Sequence, residues 1–151
     1  FCRGRLAIVI NKNFGDLPVS INDLIKGSFK KIAIANPEHA PYGAAAKEAL
    51  IKAGIWDDLR QRLVFGENIR QALQYIRTGD ADAGIVALSL VAADNNYLLI
   101  DEGLHNPIEQ SIAVLMDSKK KSYAEGFMDI VLNETGREIL KKYGFITNGG
   151  F

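Results

Sequence analysis

Apolar positions along this chain fall into short runs bounded by glycine, proline and polar clusters, with stretches of helical spacing between them. The runs Leu6 to Ile10, Lys31 to Ala35, Leu63 to Phe65, Ala83 to Ala87, Tyr97 to Ile100 and Ile108 to Met116 predict strands. Ser20 followed by Asp23 predicts a capped turn over Ile21 to Lys26, and the Ala-rich stretch Gly43 to Ala53 a helix stopped by Gly54. Trp56 to Arg62 reads as another short helix. Beyond Gly66-Glu67-Asn68, the residues Ile69, Ala72, Leu73 and Ile76 keep to one helical face, with Asn68 as N-cap and Gly79 as stop. The tail predicts helices over Lys121 to Leu132 and Thr135 to Lys142, the second ended by Gly144. Strands alternating with helices imply an α/β fold with a mostly parallel sheet and right-handed crossovers.

Ligands of open parallel sheets collect where strands end and helices begin. Two such junctions stand out, at Pro41 to Gly43 and at Glu67 to Ile69. The first lies in KIAIANPEHAPYGAAAKEAL, Lys31 to Leu50, where Asn36, Pro37, Pro41 and Gly43 are suited to a fixed turn. At a helix start several N–H groups lack an intrahelical acceptor and the dipole adds partial positive charge. No Lys or Arg lies between Asn36 and Ala46, so an anion held there is held by neutral dipoles. On spacing alone each junction reads equally well as an ordinary helix start.

With 151 residues, 48% of them hydrophobic, the chain can bury a sizeable core as one domain or two half-domains. Eighteen basic residues balance eighteen acidic ones, which argues against a nucleic-acid partner. The longest mostly apolar run, Ala81 to Ala93, includes Asp82 and Ser89 and is shorter than the roughly 20 residues of a bilayer span. Cys2, the single cysteine, reads as a small hydrophobe. Lys119 to Lys121 reads as a solvated helix entrance. The chain opens on Phe1 and Cys2 with no secretion-signal pattern and enters a strand almost at once, as expected of part of a longer protein.

Glu38 and His39 adjoin each other and could serve as acid and base, or simply make turn hydrogen bonds. No Ser or Cys nucleophile with an orienting partner accompanies them, so no catalytic residue is assigned. His39 and His105 lack the close spacing of a metal pair, and Gly4 and Gly149-Gly150 form no phosphate loop.

The segments IAIANPEHAPYGAAAKEAL, GENIRQALQYIRTGDADAGIVALSL and ILKKYGF, in this order, resemble the periplasmic molybdate-binding proteins that feed ABC import systems. CRGRLAIVIN is similar to the strand by which that family's chain leaves its first lobe for its second. The resemblance implies a type II periplasmic-binding-protein fold, two α/β lobes joined by a hinge, and a fragment lacking much of the N-terminal lobe. It divides the chain into a hinge strand at 1–11, the second lobe at 12–107, and a return strand with first-lobe helices at 108–151. It also implies a non-enzymatic protein of the periplasm, or one tethered outside a membrane, which hands molybdate or tungstate to an ABC permease without a cofactor. The oxyanion donors it implies here are the backbone N–H groups of Tyr42 and Ile69. In some family members a tyrosine follows the GIV strand; here that position is Ala87, and the chain resembles the subgroup with Tyr in PYG instead. Other readings are an effector-sensing domain of a transcription regulator, or a binder of sulfate or phosphate. Apolar residues of the tail helices, Phe127, Ile130, Val131, Ile139, Leu140 and Phe145, together with an unpaired edge at Leu6 to Ile10, lead us to expect self-association.

Overall fold

A computed structural model of the protein describes residues 1–147; residues 148–151, and with them the Gly149-Gly150 pair, lie outside the described part. Along the chain come β1 (Cys2–Gly4), β2 (Leu6–Ile10), a 3-10 turn (Ile21–Ile25), β3 (Ile32–Ala35), α1 (Pro41–Lys52), α2 (Trp56–Leu59), β4 (Leu63–Gly66), α3 (Ile69–Thr78) and β5 (Ala83–Ala87). The short β6 (Leu98–Leu99) and β7 (Ile108–Gln110) follow, then α4 (Lys121–Leu132), α5 (Glu134–Lys142) and β8 (Ile146–Thr147).

Five strands make one sheet in the order β4-β3-β5-β2-β6, and three make a second in the order β7-β1-β8. The alternating pattern of β2, β3 and β5 divides their side chains between two cores. Leu6, Ile8, Ile32, Ile34 and Ile85 pack on the Ala-rich face of α1. Ala7, Val9, Ala33 and Val86 pack on Ala72, Leu73 and Ile76 of α3. The five-stranded sheet is thus covered on both faces, which is why its strands are apolar throughout.

Local signals behave as their chemistry requires. The Asp23 carboxylate accepts from the Val19 and Ser20 N–H groups at 2.9 and 3.2 Å and meets Lys26 Nζ at 3.0 Å. The Lys26 contact, followed by these N–H donors, holds its pKa below the usual carboxylate value. Gly54, Gly79 and Gly144 take φ of 74°, 88° and 81° just past their helices, the left-handed conformation glycine adopts without strain. Cys2 is buried, and Lys119 to Lys121 are exposed at the start of α4.

The structure corrects four expectations. The sheet is mixed: β3 runs parallel to β4 and β5, but β2 runs antiparallel to both β5 and β6. β2 connects directly to β1 through Arg5, with no crossover helix to reverse it, so its direction is set by where it enters. The β2 edge is also covered in part, because Leu98 and Leu99 pair with Ile8 and Ala7. The strand expected over Ile108 to Met116 ends at Gln110, the residue paired with Cys2, since its ladder extends only as far as β1 does. Finally, α1 begins at Pro41 rather than Gly43, because proline at the first helical position has no N–H to leave unsatisfied.

Candidate functional site

Adjacent parallel strands β3 and β4 end side by side, with Ala35 opposite Gly66. One residue further on, the Asn36 N–H donates to the Gly66 carbonyl at 2.7 Å, locking the two ends together. From β3 the chain continues to α1 on one face of the sheet, and from β4 to α3 on the other. This divergence opens a crevice beyond the carboxyl ends of the two strands, the topological switch point of the sheet. Both junctions picked out in the sequence therefore border one crevice.

At the first junction Asn36 organises the turn. Its Oδ1 accepts from the Glu38 N–H at 2.9 Å, and its carbonyl accepts from the His39 and Ala40 N–H groups at 3.4 and 3.0 Å. The N-cap, Ala40, has no side chain able to cap, and Pro41 contributes no donor. Tyr42 and Gly43 occupy the next helical positions, and their N–H groups have no acceptor among the described residues. Gly43 belongs to the helix rather than to the turn. A Cβ there would run into the Ala35 carbonyl oxygen and lie 2.9 Å from the Asn36 carbonyl carbon. Its absence lets α1 press its first turn onto the end of β3.

The Tyr42 ring is half-buried against the core and its hydroxyl lies against Gly4 of β1, where a Cβ would overlap it. Burial, with a smaller contribution from Cys2, raises the phenol pKa, so the ring is neutral at ordinary pH. Further along α1, the Glu48 carboxylate accepts from the Asn106 backbone N–H at 2.7 Å and from its side-chain amide at 3.1 Å. α1 is thereby fastened to β1 and to the segment leading into β7.

At the second junction Asn68 is the N-cap, with its Oδ1 accepting from Arg70 N–H and Gln71 N–H, each at 3.0 Å. Gln71 Oε1 accepts in turn from the Glu67 N–H at 2.6 Å, and the Asn68 carbonyl from the Ala72 N–H at 3.2 Å. Of the amides from residue 69 to 72, only that of Ile69 is left without an acceptor among the described residues. The first turns of α1 and α3 contain no acidic residue.

Tyr42 and Ile69 thus stand at the helix starts that follow two neighbouring strand ends, each with an amide that has no acceptor among the described residues. The turn role of Asn36 was expected, but its bond to Gly66 and the role of Gln71 were not; only the parallel pairing of Lys31–Ala35 with Leu63–Phe65 could have pointed to the bond. Glu38 and His39 are both exposed in the turn and make no side-chain hydrogen bond among the described residues, which do not hold them as an acid–base pair. His39 and His105 are not brought together: His105 is buried, its Nδ1 2.7 Å from the Asn106 carbonyl. Among the described residues no group of three or more His, Cys, Asp or Glu side chains could hold a metal ion. No helix among them is long and apolar enough to cross a membrane.

Residues 1–146 match the family of bacterial extracellular solute-binding proteins. The chain belongs to that family. Among relatives of this solute-binding protein, the molybdate-binding protein ModA of Azotobacter vinelandii is 37% identical over 127 residues, 81% of this chain and 50% of the relative. ModA of Rhodobacter capsulatus is 33% identical over 135 residues, 86% of this chain and 54% of the relative. The solved periplasmic molybdate-binding protein of Azotobacter vinelandii superposes with a TM-score of 0.85 at 26% identity, covering 98% of this chain and 67% of that one. The expected periplasmic-binding-protein architecture is therefore present. This solute-binding protein spans about half the length of the curated relatives it matches.

Proposed function

We propose that this chain supplies one wall of a molybdate or tungstate site, with the Tyr42 and Ile69 N–H groups donating to the oxyanion, and that the whole protein delivers the anion to an ABC permease. The observation that carries the proposal is the pair of unclaimed helix-start amides on either side of a single switch point. The similarity to molybdate-binding relatives supports molybdate or tungstate as the anion. Hydrogen bonds to a charged partner contribute roughly 1.5–3 kcal/mol each, whereas a buried Lys or Arg would add its own desolvation cost. Neutral donors at fixed positions favour an anion of matching radius over a smaller one, and penalise protonated phosphate, whose O–H needs an acceptor.

On this reading the protein is non-enzymatic and needs no cofactor, with the oxyanion as cargo. It works in the periplasm or tethered outside a cell membrane. Residues 1–11 form the hinge strand into a second lobe at 12–107, and the segment from 108 onward returns to the first lobe. Membership of a solute-binding family favours this over a transcriptional sensor, and the molybdate-binding relatives favour it over a sulfate or phosphate binder. Isothermal titration of the full-length protein tests it: molybdate and tungstate bind, and equal concentrations of sulfate and phosphate give no comparable heat. Equal affinity for sulfate would reduce the protein to a generic oxyanion binder.

A further inference from the structure

Two side chains at the start of α3 are carboxamides where carboxylates would serve the helix as well or better. Asn68 is the N-cap, holding Arg70 and Gln71 N–H at 3.0 Å each. Gln71, at the third helical position, holds the Glu67 N–H at 2.6 Å. Asp caps helices as well as Asn does, and a Glu carboxylate at the third helical position accepts an N–H as the Gln carboxamide does. A negative charge in the first turn would also gain from the helix dipole. Helix stability alone therefore gives no reason to avoid charge at either position, and yet α3 has no acidic residue in its first turn.

Resting on the oxyanion reading above, we propose that Asn68 and Gln71 are positioning and charge-selecting residues of the site. Together they occupy the Glu67, Arg70 and Gln71 amides, so that within the first turn of α3 the Ile69 N–H is the amide left for the ligand. They do so without placing a negative charge beside a dianion. α1 reaches the same condition differently, with Ala40 and Pro41 offering neither a side-chain cap nor a charge.

The test uses the isosteric variants Asn68→Asp and Gln71→Glu in the full-length protein, titrated with molybdate alongside thermal melts. Asn68→Asp keeps or raises Tm and loses at least about tenfold in affinity at low salt, or about 1.4 kcal/mol. Raising ionic strength to about 0.5 M recovers part of the loss, because the repulsion is screened. Gln71→Glu changes affinity in the same direction. Asn68→Ser, a neutral cap, weakens binding no more than about threefold. The inference is overturned if both carboxylate variants bind as tightly as the unsubstituted protein. It is also overturned if Asn68→Ser, with Tm intact, loses as much as Asn68→Asp. Should Asn68→Asp fail to fold, Gln71→Glu against Asn68→Ser decides. If the unsubstituted protein binds neither molybdate nor tungstate, the functional proposal fails and this inference with it, an outcome distinct from normal binding by the carboxylate variants.

Discussion

Ile69 stands at the first position of α3 with its N–H unclaimed, so proline can replace it while removing only that donor. The preceding Asn68, at φ −147° and ψ 172°, already has the extended backbone that a following proline requires. Ile69→Pro should keep the fold, by circular dichroism, and lose roughly ten- to a hundredfold in oxyanion affinity, the equivalent of one charge-assisted hydrogen bond. Tyr42→Phe removes a hydroxyl that rests on Gly4 but keeps the amide, and should bind nearly as before. The reverse ranking in titration calorimetry would refute backbone donation. At this scale the sequence was legible wherever chemistry is local: the Asn68 cap, the Asp23 cap and the glycine stops follow from residue type and neighbours. Gly43 was legible only as a glycine. Its reason, contact with the Ala35 carbonyl, depends on a strand eight residues away and on how closely a helix lies upon it.

Among the elements, the docking of α1 onto β3 matters most to the site, since it sets where the Tyr42 amide stands. Gly43→Ala would drive a methyl group into the end of β3. Overpacking of this kind costs about 1–3 kcal/mol, and the first turn of α1 would lift away from the crevice. Lower stability in urea and weaker oxyanion binding should therefore appear together; full affinity in a destabilised variant would separate the helix start from the site. Element types were readable because runs of apolar residues and helical spacing are properties of single segments. Strand direction was not, because it depends on the route between segments: β2 runs opposite to β5 although its composition is that of a parallel strand. The length of β7 was hidden for a similar reason. Ile108 to Met116 has a strand's pattern, yet its partner β1 pairs only as far as Gln110.

In the molecule as a whole, the two cores lie around the five-stranded sheet, while α4 buries no residue at all. Tyr123, Phe127 and Ile130 are 80%, 62% and 59% exposed, and Ile139 of α5 is 52% exposed. Apolar surface of this extent is commonly covered by another surface, so these 151 residues expressed alone should self-associate through α4 and α5. Light scattering should show this, and Phe127→Glu should reduce it; a monomer at high concentration would count against it. Two amides supply a gross 3–6 kcal/mol or so, of which ligand immobilisation removes several. The chain by itself should therefore bind molybdate only in the millimolar range or weaker, whereas micromolar binding would mean that its two amides and their surroundings suffice.

The hydrogen bond from Asn36 N–H to the Gly66 carbonyl continues the β3–β4 ladder past its last paired residues, so the two strand ends from which the chain sets out for α1 and α3 are held at the spacing of neighbouring strands, about 4.8 Å. That interval is built from main chain alone. Mutational drift at positions 42 and 69 can change the lining of the crevice and leave the caliper untouched. Under the proposed function, descendants of this sequence could then diverge widely in their pocket side chains and still measure the same ion.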